Sequence, residues 1–552
     1  MRNRISRRGF LKKGAAAGLG AAATAGITAQ EVNAQNIRWD READVVIAGA
    51  GASGLCASIS ARDQGVSVIA IDENYDVGGH AMLSAGNLPL GGGNSVQKKY
   101  GIEDSADQVY LDHTDHRNQE FRFSDRDLVR MWADENVPTF EFLVENGMMF
   151  RDSRPGTLTR PPNPIPQGSV PRMVNPLIYS EDLKVTINGS GGSGFVRPLE
   201  KSALAKGVQF LLRHKLTNII REKPASGRVL GITATVDNKS VNIRARKGVV
   251  IATGGHTSNV EFRRIFDPRL TAEYQVAGEP WSRQSGEGEL LAMSIGASLW
   301  ATNNQNGGAG SPMTKTRHIG CRWGYQSLKW NPDSPVFDRV GASGLTIVDF
   351  QNVILVNQSG KRFWNESENS FNFIHACLGT NGNLGTDGKA NGGGPIWAIF
   401  DADEVVRQKW DPRPPNVDPK GWFFTADTLA ELAGRIVNPY QTRPLPADAL
   451  VQTVARYNSL VDSGKDTDFS KPTPMFRIEK PPFYAAWSTP ILHDSLTGLK
   501  INRKCEVIDI HNRVIPGLYC AGESAGGFAL HGLPRVSVFG RVAGREAARA
   551  GG

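Results

Sequence analysis

Cysteine is scarce in this chain: its 552 residues contain five, Cys56, Cys321, Cys377, Cys505 and Cys520. So few cannot make a disulfide scaffold, and their separations exclude the paired spacing of a zinc site. Cys56 and Cys520 read as packed core thiols; whether Cys321 and Cys377 form a bridge is left undecided. No C-x-x-C-H occurs, so no c-type haem is built in and any haem partner is a separate protein. No apolar run is long enough to span a bilayer, and no long Lys/Arg block follows the first residues. The formal charge of +8 sits mostly in residues 1–34, where six Lys/Arg oppose one acid, Glu31, so that +3 remains beyond them. The expectation is therefore neither nucleic-acid binding nor a membrane span.

What the first residues do contain is specific. Ser6-Arg7-Arg8-Gly9-Phe10-Leu11-Lys12 reads as a twin-arginine export signal. A weakly hydrophobic Ala/Gly stretch without Lys or Arg follows from Gly14 to Ile27, then Val32-Asn33-Ala34 as a small-residue cleavage site. The expectation is a periplasmic protein, exported already folded, with a mature start near Gln35. The length calls for two domains.

The strongest signal is Asp44-Val45-Val46-Ile47-Ala48-Gly49-Ala50-Gly51-Ala52-Ser53-Gly54. A β-branched strand feeds a glycine turn that opens a helix running to about Gln64. Gly49 permits the bend, Gly51 lets the backbone approach a pyrophosphate, and Gly54 lets helix pack on strand. The helix start, with Ala52 and Ser53, offers N–H groups and partial positive charge to phosphates. A second strand, Val66 to Ile71, ends in Asp72-Glu73, where a carboxylate accepts hydrogen bonds from an adenosine ribose. Further landmarks are Gly78-Gly79-His80 through Ser84, Gly86 and Asn87, then Gly91-Gly92-Gly93. A helical segment is expected from about Ala106 to Met149, a helix and strand between Gly194 and Gly231, and a buried strand running into Ala252-Thr253-Gly254-Gly255. A helix should open at Ser285-Gly286-Glu287-Gly288-Glu289, and a last one run from about Val536 to Ala550. Between them, from about residue 301, the texture turns irregular and rich in Asn, Gly, Trp and Pro.

In co-linear order, these landmarks resemble the fumarate reductase/succinate dehydrogenase flavoprotein family, which includes soluble fumarate reductases and 3-ketosteroid dehydrogenases. The resemblance also rests on Ile354 to Phe363, Pro482-Phe483-Tyr484 and Gly517 to Glu523, and covers the whole mature chain. It implies FAD and an α/β fold, a Rossmann-like FAD-binding domain with an inserted α+β capping domain. The expected boundaries are 1–34 signal peptide, 35–300 FAD-binding domain (first part), 301–490 capping domain and 491–552 FAD-binding domain (second part). By resemblance, Glu523 binds the ribityl region, and Ser537 and Val538 present backbone N–H to the flavin N1/O2 edge. His80 stands six residues before Gly86, the spacing at which the membrane-bound branch bonds a histidine covalently to flavin; a non-covalent histidine near the ring is the favoured expectation.

The resemblance breaks at the proton donor. Where fumarate-reducing members carry an arginine after the capping motif, this chain has Ser370, and a serine cannot replace a delocalised cation. Leu345-Thr346-Ile347-Val348-Asp349 likewise leaves the Thr-Glu and the arginine of the associated proton path unmatched. His493 and Arg535 match substrate-carboxylate ligands, against the alternatives of a core histidine and a structural ion pair. Tyr484 is either a proton carrier, as in steroid dehydrogenases, or a packing residue. Trp300, Trp323, Tyr325, Trp330 and Trp364 line a pocket or, on the favoured reading, fill the capping domain; His375 and Tyr325 have only location in their favour.

The expected function is hydride transfer between flavin N5 and a C–C bond next to a carboxylate or carbonyl, on a small molecule other than fumarate. Electrons would come through an external carrier such as a periplasmic cytochrome or quinone, since no second nucleotide fold is evident. The alternatives are a dehydrogenase of a cyclic ketone or aromatic-like substrate, and a flavin electron-transfer subunit without a substrate of its own.

Overall fold

A computed structural model of the chain describes residues 37–84, 86–115, 124–157, 170–177, 191–276, 282–301, 353–367, 377, 394–414, 417–441, 443–489, 492, 494–530 and 532–551. The first strand, β1 (Arg41–Ala48), is followed by helix α1 (Ala52–Arg62) and strand β2 (Val68–Ile71). Next come α2 (Arg126–Glu145), α3 (Gly192–Ala205) and β3 (Gln209–Leu211). A meander of three long strands follows: β4 (Lys215–Lys223), β5 (Ser226–Val236) and β6 (Lys239–Ile251). Helix α4 (Glu287–Ser294) precedes β7 (Ile354–Val356), β8 (Trp397–Phe400) and β9 (Phe423–Ala426). Helix α5 (Ala447–Asp462), β10 (Phe483–Trp487), β11 (Glu506–Ile508), β12 (Val514–Cys520) and α6 (Leu533–Arg549) complete the order.

The main sheet runs β11-β12-β6-β1-β2-β3, with β5 and then β4 attached to the far half of β6. Strands β12, β6, β1, β2 and β3 are parallel to one another; β11 and the meander pair antiparallel. A parallel strand covered on both faces reads as an unbroken apolar run, and Val45–Ala48, Val68–Ile71 and Val249–Ile251 are all buried. The meander alternates instead, with exposed residues on every second position of β6 from Arg244 to Arg246.

Helices α1 and α6 pack directly on each other. A Cβ on Gly540 would stand 2.3 Å from the Ser53 carbonyl, and one on Gly544 2.1 Å from that of Ala57. The small residues of both helices therefore set their spacing, and they bring the start of α6 beside the glycine turn. Helix α6 begins at Leu533, three residues before the expected start, because Pro534 in a first turn gives up no needed N–H. Among the described residues, the helical segment expected over Ala106 to Met149 contains the helices Ala106–Thr114 and α2; the Asp125 carboxylate caps α2 by accepting from the N–H groups of Asp127 and Leu128.

A second, antiparallel sheet has the order β7-β8-β10-β9. Alternate residues of β10 serve two cores. Phe483, Ala485 and Trp487 pack with Leu450, Val454 and Tyr457 of α5; Tyr484 and Ala486 pack with Tyr274, Cys377 and Phe400. Behind β7, buried Arg362 grips Glu366 and Asp466 at 2.6 and 2.7 Å. Cys56, Cys377, Cys505 and Cys520 are buried, unbridged thiols; Cys321 lies outside the described residues. Among the described residues no helix is long and apolar enough to cross a membrane.

Candidate active site

A cavity of about 340 Å³ opens where the carboxyl ends of β1 and β6 meet the starts of α1 and α6. Gly49, at φ +105°, makes the turn; a Cβ there would lie 2.1 Å from the Ala252 carbonyl. Gly54 packs so tightly that a Cβ would fall 1.8 Å from the Gly49 oxygen. Gly51 differs from both. Its backbone (φ −69°, ψ −173°) suits any residue, and a Cβ would meet nothing nearer than the Gly78 oxygen at 3.9 Å. A side chain at position 51 would therefore occupy the cavity itself, the space a diphosphate needs. No side chain caps α1, no acid lies in its first turn, and the buried Ser53 hydroxyl has no hydrogen-bond partner among the described residues. Together these leave donors and positive charge aimed at an anion.

Asp72 ends β2 at the rim. Its Oδ2 accepts from Ala50 N–H at 2.7 Å and its Oδ1 from Asn74 N–H at 2.8 Å. Each oxygen keeps a second lone pair for a ribose hydroxyl. Burial pushes this carboxyl above the usual aspartate range, while the two backbone donors hold it down. Glu73 stands beside it, held with Glu287 by Lys215 at 3.4 and 2.6 Å. These residues close the adenosine end.

At the other end, Gln284 links three groups: its Nε2 lies 3.1 Å from His80 Nδ1 and donates to Glu523 Oε2 at 2.5 Å, and its Oε1 accepts from the Thr257 hydroxyl. Burial and the adjacent Asp494 push Glu523 well above the usual glutamate range. Arg535 is fully buried; its Nη1 donates to the Ser495 carbonyl at 3.3 Å and its Nη2 to that of Ala525. His256 lies behind, with Nδ1 3.3 Å from Glu289 and Nε2 3.1 Å from the Thr497 hydroxyl.

Of the residues read from the sequence, Gly49, Gly51, Ala52, Ser53, Asp72, Glu73, Gly79, His80, Ser84, Ala252, Thr253, Gly254 and Glu523 line this cavity. Gly54 acts from beneath it by packing. Gly86, at φ +79°, abuts Gly191, and the Asn87 side chain accepts from Asn175, so both shape the approach without lining it. Ser537 and Val538 are one turn inside α6, where helix carbonyls take their N–H groups; Gly532, Leu533 and Val536 reach the cavity in their place. Tyr484 is stacked on Phe400 at 5.3 Å in the core of the second sheet, and Trp364 packs against that same core. Trp300 is paired with Gly498 and packed over Gly526. His493, Ser370, Tyr325, Trp323, Trp330 and His375 lie outside the described residues. The sequence reading missed Gln284 and Asp494, which the fold brings from far along the chain. Asp494 adjoins His493, which the sequence reading singled out for itself alone; nothing local pointed to Gln284.

A family model described as FAD binding domain matches residues 44–535. The chain is 28% identical over 516 residues to a fumarate reductase (cytochrome) from Shewanella frigidimarina, a match spanning 92% of this chain and 77% of that protein. It is 28% identical over 546 residues to the acrylate reductase flavoprotein subunit of Shewanella woodyi, spanning 96% and 94%. The crystal structure of a 3-ketosteroid-Δ4-(5α)-dehydrogenase from Rhodococcus jostii aligns with a TM-score of 0.61 at 25% identity, over 93% and 98%. The glycine cradle, the uncapped helix start and the orphaned Ser53 hydroxyl fit the diphosphate of FAD, and the chain belongs to the FAD-binding family that contains the fumarate reductase flavoproteins: it is an FAD-dependent oxidoreductase.

Proposed function

We propose that the chain moves a hydride across a C–C bond adjacent to a carboxylate or carbonyl, on a small substrate other than fumarate, using electrons from an external carrier in the periplasm. The observation that carries this reading is the match, along nearly the whole chain, to proteins named for fumarate, acrylate and a 3-ketosteroid. All three compounds hold a C–C bond beside an electron-withdrawing oxygen group. Ser370 in place of the family's arginine argues against fumarate itself.

Bound FAD supplies the hydride donor or acceptor. The chain's residues do the rest. The start of α1 holds the diphosphate, Asp72 and Glu73 orient the ribose, and Gln284 fixes Glu523 and His80 at the far end. Both Nη atoms of Arg535 donate to backbone carbonyls, which hold it as a fixed positive charge that favours electron density near the cavity. The stacking of Tyr484 in the second sheet's core weighs against a tyrosine-dependent steroid-type reaction.

The test is anaerobic. Photoreduced protein is mixed with a panel of enoates, enones and quinones, and return of the flavin absorbance is followed. Rapid recovery with an enoate or enone is expected. Recovery with quinones alone, or with nothing in the panel, would contradict the proposal and favour a flavin electron-transfer subunit.

A further inference from the structure

Among the described residues, the cavity is lined by four acids, Asp72, Glu73, Asp494 and Glu523, and by a single Lys or Arg, Arg283. An anionic substrate entering so acidic a space needs a cation to meet it. The neighbouring cations are placed otherwise. Lys215 is held between Glu73 and Glu287, and Arg535 is fully buried and outside the lining. Arg283 differs from both: it is exposed on the cavity wall, and among the described residues its side chain makes no ion pair and no hydrogen bond.

The backbone on either side fixes where it stands. Gln284 donates its N–H to Ser258 Oγ at 3.1 Å, and its carbonyl accepts from the Ser258 N–H at 2.8 Å. The Gln284 side chain is tied to Glu523 and lies 3.1 Å from His80 Nδ1, at the inner end of the cavity. Ser282 borders the glycine turn instead: a Cβ on Gly79 would lie 4.0 Å from Ser282 Oγ and 3.6 Å from Gly51 Cα. The segment thus runs from the diphosphate's end to the inner end, with Arg283 between. The diphosphate has its own donors, the free N–H groups at the start of α1 and the Ser53 hydroxyl. A substrate carboxylate has no other cation of this kind in the described lining, and a guanidinium fork matches its two oxygens. We propose that Arg283 ligates a carboxylate of the substrate, which makes that substrate an acid rather than a ketone. The assignment rests on the hydride-transfer reading above and narrows it.

The test is a binding titration on the oxidised holoenzyme, following the flavin spectrum as acrylate, crotonate or cinnamate is added, each beside its amide. Arg283→Gln should weaken the acids about tenfold or more and leave the amides unchanged. Arg283→Lys, which keeps the charge and loses the fork, should fall between. Acids that bind the wild type no better than their amides, or equally well to wild type and Arg283→Gln, overturn the proposal; a loss confined to FAD affinity assigns the side chain to the diphosphate instead. Should the variants not retain FAD, the wild type decides: acrylate and not acrylamide should protect Arg283 from phenylglyoxal, read by mass spectrometry, and equal labelling with both refutes the assignment. Binding needs no turnover. Acids held through Arg283 but never reduced would refute hydride transfer alone, whereas reduction of enones with no binding of acids would refute this assignment alone.

Discussion

At the scale of single residues, three glycines of one turn do different work, and the difference is measurable. Gly54→Ala would drive a Cβ into the Gly49 carbonyl, which cannot move without displacing β1, so the apoprotein should lose roughly 3 kcal/mol or more. Gly51→Ala meets no protein atom and suits the backbone there. The apoprotein should melt as the wild type does, while FAD binding weakens at least about tenfold, near 1.4 kcal/mol. Thermal melts without FAD and titrations with it separate the two effects; equal melting losses in both variants would refute the assignment. The same contrast explains what was legible. Turn, ribose acid and helix start lie within thirty or so residues of one another and speak through local spacing. Gln284 and Asp494 meet His80 and Glu523 only through tertiary folding, and no period or motif announces such a meeting.

At the scale of elements, the parallel strands were legible because burial on both faces leaves unbroken apolar runs. The three-stranded meander was read as less than it is, since its alternating charged residues resemble surface segments. The pairing of α1 with α6 depends on Gly540 and Gly544, whose spacing gains meaning only beside α1. Beside the second sheet's core, Val276 pairs with Leu492, and just before it Glu273 is buried with Thr271 donating to its Oε1 at 2.5 Å. Burial raises the Glu273 carboxyl from the 4.5 of an ordinary glutamate to about 7, Thr271 opposing. The folded state thus keeps a proton that the unfolded chain releases above pH 4.5, and the stability it contributes is lost as pH rises to about 7. Glu273→Gln should match the wild type near pH 4.5 and surpass it above pH 7, by on the order of 2 kcal/mol. Melting temperatures measured across that range check it; a gap that does not change with pH would contradict the assignment.

At the scale of the whole molecule, one sheet carries the cofactor turn and a second is inserted between its strands, an order visible in the sequence as two stretches of glycine-turn texture around an irregular middle. Export is a separate proposal carried by Ser6 to Lys12. Replacing Arg7 and Arg8 with lysine should retain the protein in the cytoplasm, and cell fractionation with an unchanged periplasmic yield would dismiss it. The account as a whole depends on FAD lying with its diphosphate at the start of α1 and its ring toward Glu523. The most direct measurement is the absorbance of the purified chain together with the mass of whatever denaturation releases. Flavin bands in the blue and near ultraviolet, with one FAD released per chain, are the predicted result; a folded protein that stays colourless when supplied with excess FAD would contradict it.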